Sequence, residues 1–503
     1  MNENDQTHRA ILKSIAHRVM LERGLFPDFS SEALAELGQI QHTKTSDSIT
    51  VRDCRSLLWS SIDNDDSRDL DQLTVAQAMP SDGIKILVAI ADVDHAVKNG
   101  SALDKHARNK TTSVYTAAEI FPMLPEEIST DLTSLNFNMD RLALIVEMLV
   151  GANGTIQDSR IYHGWVRNHA KLAYNSVAAW LEKTGKVPEE ITAAPGLAEN
   201  LQLQDLAAQR LKKFRHQQGA LSLETVEARP VFDGDQILGL EADEENRAKE
   251  IIENFMIAAN GVTARYLSAS GSASIRRVVR TPKRWDRIVI IAREHHCELP
   301  ANPDAKALEG FLIQQKAADP LRFPDLSLAI IKLLGAGEYV VVSPAAQPGA
   351  EPTPEDVPGH FGLAVKDYAH ATAPNRRYPD LLTQRLLKAA IERKPAPYSK
   401  AELESLAAHC TAAEDAANKV ERQVGKSAAA LLLESKIGEQ FDAIVTGASE
   451  KGTWVRLLSM PVEGKLVDGF EGQDVGERVR VQLTSVDVQR GFIDLKKINW
   501  TGH

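Results

Sequence analysis

Hydrophobic positions change period along this chain, and each change marks an element. Ile11, Ile15 and Val19 recur every fourth residue, the spacing of one helical face, and Gly24 followed by Pro27 closes that segment. Ser30 or Ser31 opens a second short helix through Ala33–Leu37. The stretch 1–50 is too small for its own core and reads as a helical appendage. From Val51 to about Glu434 there is no clean boundary. Within it, Ile84–Val93 reads as a buried strand, and Glu250–Leu267 and Leu381–Ile391 as amphipathic helices. Five prolines between Pro344 and Pro358 predict a loop. A long helical pattern from Ala401 to Ser435 ends at Lys436-Ile437-Gly438. The period then drops to two. Phe441–Val445, Thr453–Leu457, Val462–Leu466, Arg478–Leu483 and Phe492–Leu495 are five short strands separated by turns, which suggests a small OB-type barrel. The expected class is α+β, with three parts: 1–50, 51–435 and 436–503.

Composition narrows the setting. At 503 residues, 43% hydrophobic and 25% charged, the chain has ample core for several units. No apolar stretch is long enough to cross a bilayer, and Met1-Asn2-Glu3-Asn4-Asp5 lacks a secretory pattern. Cys54, Cys297 and Cys410 are far apart and odd in number, so no disulfide framework is expected and a reducing cytoplasm fits. A net charge of -11 does not exclude nucleic acid, because a polyanion meets local patches rather than the total. One such patch is Arg276, Arg277, Arg280, Lys283, Arg284 and Arg287, offset only by Asp286 and enclosing Trp285.

The run Ile62–Gln72 changes the picture most. Asp63, Asp65, Asp66, Asp69 and Asp71 lie within ten positions, between Leu57-Leu58-Trp59 and Leu73–Val75. An isolated acidic run is usually a solvated turn. Apolar flanks instead put this one at the edge of a core, where clustered carboxylates need pairing or a hard divalent cation. On an extended chain Asp69 and Asp71 share a face and Gln72 takes the other, while Asp63 curls back to join them. Such a set suits magnesium, which takes few carboxylates plus substrate phosphate and so points to a phosphodiester.

A second constellation is His360-Phe361-Gly362-Leu363-Ala364, running into His370 through Asp380. Arg376 and Arg377, adjacent and just before a helix starting near Asp380, can clamp a phosphate; one of the two is expected to be structural. His295-His296-Cys297 lacks a second pair of zinc ligands, and His409-Cys410 reads as helix packing. With no Gly-rich phosphate loop, no nucleotide cofactor is expected.

In order along the chain stand Asp63–Gln72, Ile120–Pro125 with Leu132–Leu135, Glu253 with Phe255–Asn260, and His360–Asp380. Together they resemble the RNB catalytic domain of the ribonuclease II family, and Gly438–Lys497 resembles the S1-like OB domain that follows it there. The resemblance covers most of the chain after Val51. It implies a mixed-sheet catalytic unit wrapped by helices, and a processive 3′-to-5′ exoribonuclease. Single-stranded RNA would be hydrolysed to nucleoside 5′-monophosphates at a site with one or two magnesium ions, manganese being a substitute. By matching position, Asp63, Asp69 and Asp71 would be metal-site carboxylates, Asp71 would be catalytic, and Arg376 would contact the scissile phosphate. Tyr115 would stack on the terminal base, or else be a core tyrosine. Trp285 falls near the second stacking aromatic of the family. Glu421 would lie near the RNA end, or else pair on a helix surface. The expected state is a monomer whose partner is single-stranded RNA, with no membrane.

This chain departs from the family pattern in three places. Gln72 stands where the acidic motif usually ends in a second aspartate; an amide oxygen still ligates magnesium, but one charge is lost, which leaves a weakened RNA binder as the rival expectation. Thr372-Ala373-Pro374-Asn375 replaces the usual Thr-Ser-Pro-Ile. The stretch before Val51 has no room for the two cold-shock-type domains common in the family, so RNA capture would rest on the terminal barrel and the channel mouth. There Phe441, Trp454 and Phe470 are candidate stacking residues, with Trp454 placed on the binding face and Lys451, Arg456 and Lys465 supplying charge.

Overall fold

The computed structural model describes residues 7–40, 51–224, 228–242, 245–343, 359–449, 452–473 and 477–498. The segment 344–350 and the proline-rich stretch after it to 358, read above as a loop, lie outside these residues, as does Lys451.

A seven-stranded sheet organises the large unit. Its members are β1 (Arg52–Asp53), β2 (Ser60–Asp63), β3 (Gln72–Ala78) and β4 (Ile84–Ala91). A short hairpin of β5 (Val114–Tyr115) and β6 (Ile120–Phe121) intervenes, then β7 (Asp140–Val150), β8 (Ile156–Arg167) and β9 (Ala170–Ala173) complete the sheet. The strand order is β1-β8-β7-β4-β3-β2-β9, antiparallel through the middle and parallel at both edges. Central β4 is buried almost throughout, which explains its unbroken apolar run. It stops at Ala91 rather than Val93, because the Asp92 carboxylate accepts from His95 N and caps a short helix instead.

Helices Leu197–Gln217 and Arg247–Ala269 pack on this sheet. The Asn200 amide pairs with both backbone groups of Ala76, and the Thr74 hydroxyl donates to Gln204, so a helix completes the ladder of a strand. Asn246 caps the second helix, which therefore starts before the apolar period does. The helix after the arginine pair begins at Tyr378, with Pro379 tolerated in its first turn, where its missing N–H costs nothing.

Helix Lys400–Leu433, opened by a Ser399–Glu402 capping box, joins the large unit to the terminal barrel. Its apolar stripe of Ala413, Ala417, Val420 and Val424 packs against Leu12, Ile15 and Val19 of the first helix, His8–Glu22. The barrel closes in the order β14 (Gln440–Ser449), β15 (Gly452–Leu457), β16 (Glu463–Asp468), β18 (Phe492–Ile498), β17 (Arg478–Asp487). Three smaller helices, Trp285–Glu294, Ala305–Ala318 and Phe323–Leu334, form a separate core beside it. The remaining pairs are β10 (Ala228–Asp233) with β11 (Gln236–Ala242), and β12 (Ser274–Val278) with β13 (Glu338–Val342).

Candidate active site

The acidic run is the connection from β2 to β3, and its backbone is tied down. Asp63 ends β2, and its Oδ1 accepts from Asn64 N at 2.7 Å and Ser67 Oγ at 2.8 Å. Leu70 N donates to the Ser134 hydroxyl at 2.9 Å, Leu135 N donates to Leu70 O, and Ala91 N donates to Asp71 O. These bonds turn Asp71 inward at the start of β3, where it is 2% exposed.

The two oxygens of Asp71 differ. Oδ1 accepts from the backbone N–H of Asn375 at 2.9 Å, while Oδ2 is buried without a hydrogen-bond donor and lies 3.4 Å from Arg376 Nε. Burial pushes the Asp71 carboxyl up to about 7; the Arg376 guanidinium opposes that rise and the charge of Asp69 adds to it. Asp69 is raised in the same direction, again chiefly by burial. Tyr115 is 42% exposed and so is not a core tyrosine; its hydroxyl end faces Asp69 and Arg376, where desolvation raises the phenol. Arg376 feels Asp71, Asp63 and Asp69 together and remains charged.

Asp380 builds the arginine loop. This fully buried carboxylate accepts at Oδ1 from Thr372 N, Ala373 N and Arg377 Nη2, at 2.8, 2.9 and 2.8 Å. Arg377 is therefore fixed to the loop, whereas the Arg376 side chain is 44% exposed. The loop also pairs with the strand that carries Tyr115. Ser113 N donates to Arg376 O at 2.9 Å, Tyr378 N donates to Thr111 O at 2.8 Å, and Thr112 bridges Arg377.

These segments enclose a cavity of about 180 Å³ lined by Thr111, Thr112, Ser113, Tyr115, Tyr339, Arg376, Arg377, Pro379 and the helix residues Glu414, Ala417, Asn418 and Glu421. Its walls carry opposite charges. Glu421 accepts from Tyr115 N at 2.7 Å, and Glu414 forms a two-pronged pair with Arg277, whose guanidinium lies over the Tyr339 ring.

Among the described residues, no three His, Cys, Asp or Glu side chains stand close enough to cage an ion. Asp63, Asp69 and Asp71 gather around Arg376 instead. A buried carboxylate oxygen without a donor, flanked by further carboxylates, fits a hard cation held jointly with phosphate and water rather than by the protein alone.

Two comparisons decide the family. Residues 51–393 match the model of the RNB domain, and residues 439–497 match that of the RNase II-type exonuclease C-terminal S1 domain. The chain belongs to the RNB family. Ribonuclease R of Escherichia coli is 28% identical over 482 residues, 89% of this chain and 57% of that protein. Exoribonuclease 2 of Shigella flexneri is 31% identical over 414 residues, 81% of this chain and 61% of that protein. The chain thus spans little more than half the length of these relatives. Mycoplasma genitalium RNase R in complex with ribose methylated single-stranded RNA superposes with a TM-score of 0.86 at 22% identity, over 98% of this chain and 79% of that one. Yeast Ssd1, described as a pseudonuclease, does so with a TM-score of 0.70 at 15% identity, over 91% and 55%.

Within this RNB chain, other expected residues fall elsewhere. Trp285 is 4% exposed, donates to Pro300 O and packs edge-on to Phe361, so it belongs to the core of the three small helices and offers no face to a base. Phe441 is likewise inside the barrel. Trp454 alternates with buried Thr453 and Val455, which turns it outward on β15 opposite exposed Lys465; Phe470 is exposed too. Arg456 is bound to Asp325 at 3.0 Å and is not a free charge. The basic patch is broken up. Arg276 is buried, Arg277 is committed to Glu414, and Arg280 pairs with Glu338, leaving Lys283, Arg284 and Arg287 exposed. Gln72 is buried at the start of β3, paired with Ile90. Sequence reasoning gave no role to Asp380, Asn375 or Glu414; the acidic helix start at Asp380 was the one available signal.

Proposed function

We propose that this chain is a magnesium-assisted 3′-to-5′ exoribonuclease, with the unit 51–435 hydrolysing single-stranded RNA processively to nucleoside 5′-monophosphates and the barrel 436–503 helping to hold it. The observation that carries this reading is the buried Asp71 Oδ2, without a donor, 3.4 Å from Arg376 at the cavity wall. The names of the relatives, Ribonuclease R and Exoribonuclease 2, support the same activity. We take it to act as a monomer in the cytoplasm; among the described residues no helix is long and apolar enough to cross a membrane.

In this mechanism Arg376 binds the scissile phosphate and stabilises charge that develops on it. Tyr115 stacks on the terminal base, and Glu421 sets the height of that ring by accepting from its backbone N–H. Arg377 adds positive charge from behind while Asp380 holds it in place. Asp71 Oδ2, buried without a donor and 3.4 Å from Arg376, is the oxygen left to act on the attacking water. Asp63, Asp69 and Asp71 would hold magnesium jointly with the substrate phosphate, and the ion would supply Lewis-acid polarisation when bound.

A second reading is favoured by Gln72, an uncharged residue beside the acidic set: an RNA-binding chain with weakened turnover. A shared fold does not decide between them, since the fold is also that of a pseudonuclease. Single-stranded RNA incubated with the protein and magnesium tests the two. Mononucleotide products support the nuclease. RNA that is bound but intact, and is hydrolysed only by Gln72→Asp, supports the binder.

A further inference from the structure

Lys110 is the last residue of helix Ala102–Lys110 and is 0% exposed. A buried ammonium needs compensation, and this one has little. Among the described residues it makes one hydrogen bond, 3.4 Å long, to the backbone oxygen of Pro27; the charge of Asp28 offsets its burial only in part, and its Nζ lies 5.5 and 5.8 Å from the ring centres of Phe29 and Phe121. A methionine would fill such a place at lower cost, so stability alone does not account for a lysine there. The position has two features that a charge serves. It is a helix C-terminus, where a cation meets the negative end of the dipole. The next residue, Thr111, also has φ 66° and ψ -36°, a region that a β-branched residue rarely enters.

Thr111 turns the chain straight into the cavity. Its O accepts from Tyr378 N, and two residues later Ser113 N donates to Arg376 O. The same strand continues into the β5–β6 hairpin, which the first helix grips through Arg9 to Ala118 O and Lys13 to Glu119. The cover over Lys110 is thus the N-terminal segment, and the element held beneath it carries the backbone of Arg376.

We propose that Lys110, clamped by Pro27 and Phe29, is a positioning residue that fixes the Thr111–Tyr115 strand and through it the register of Arg376. This rests on the nuclease reading above for its effect on turnover. The helical N-terminal segment is then a working part of the site rather than an appendage.

The test compares the full chain with Lys110→Met, Lys110→Arg and Phe29→Leu. Amide hydrogen exchange is followed at Ser113 and Tyr378, together with thermal midpoint, kcat and KM on single-stranded RNA. The expected result for Lys110→Met is faster exchange at those two amides and a roughly tenfold lower kcat, with KM changed less than about twofold and a midpoint no lower than that of wild type. Phe29→Leu is expected to move the same amides, and Lys110→Arg to restore part of the kcat. Unchanged exchange in both Lys110→Met and Phe29→Leu overturns the proposal, as does faster exchange with wild-type kcat. Activity that falls only in proportion to the folded fraction also overturns it. A wild-type chain with no hydrolysis defeats the nuclease reading instead, and the exchange data still decide whether Lys110 holds the strand.

Discussion

The backbone N–H of Asn375 donates to Oδ1 of Asp71 at 2.9 Å, joining residues 304 positions apart. This one bond sets the acidic run and the arginine loop in register, since Arg376 follows Asn375 directly. It also assigns the two oxygens of Asp71: one is committed to the scaffold, the other is left for the reaction. Thr133 steadies the same residue by donating to the Asn375 side-chain oxygen at 2.6 Å.

The two neighbouring arginines should respond differently to substitution. Arg376→Lys keeps a charge but loses the planar fork, and should lower kcat on the order of 10²-fold while leaving thermal stability nearly unchanged. Arg377→Lys should act mainly on stability, because its partner is the buried Asp380. Steady-state kinetics and thermal melts on both variants separate the cases.

Asp380→Asn should be among the most damaging single changes for the fold. It removes the charge that holds two backbone N–H groups and Arg377, and breaking such a buried pair costs about 3–5 kcal/mol. Denaturant unfolding measures the loss, and a cost below about 1 kcal/mol would show that the loop is held by other means.

Trp454 faces outward on the barrel, so Trp454→Ala should weaken binding of long single-stranded RNA by about 1–3 kcal/mol, roughly 5- to 150-fold in Kd. Hydrolysis of short oligonucleotides should stay unchanged. Equal affinity of both proteins for long RNA would remove this residue from the binding path.

Lys110 gives a pH signature. Burial lowers its pKa from 10.5 to about 8, so the folded chain binds fewer protons than the unfolded one between those values. Stability relative to Lys110→Met should therefore rise as pH increases from about 8 toward 10.5, and be flat below that window. Melts of the two proteins across this range check the sign.

Much of the fold was legible because periodicity reports burial directly. Ile11, Ile15 and Val19 mark a helix, and the alternation in β15 marks a barrel strand. The acidic run stood out because so many carboxylates beside Trp59 demand a reason. What stayed hidden depends on distant main chain. Nothing in the sequence says that the N–H groups of Thr372 and Ala373 meet Asp380, or that Asn375 reaches Asp71. The basic patch misled for a related reason. β12 pairs with β13, which buries Arg276 and brings Arg277 beside Tyr339, so neighbours in sequence do not form one surface. Trp285 followed them inward because its indole N–H found Pro300 O.

The most direct measurement is digestion of 5′-labelled single-stranded RNA with magnesium by the wild-type chain and by Asp71→Asn at matched concentration. Wild type should shorten the RNA from its 3′ end and release nucleoside 5′-monophosphates. Asp71→Asn should bind the RNA with similar affinity and leave it intact. Digestion by Asp71→Asn at the wild-type rate, or internal cuts in place of 3′-end shortening, would contradict this mechanism.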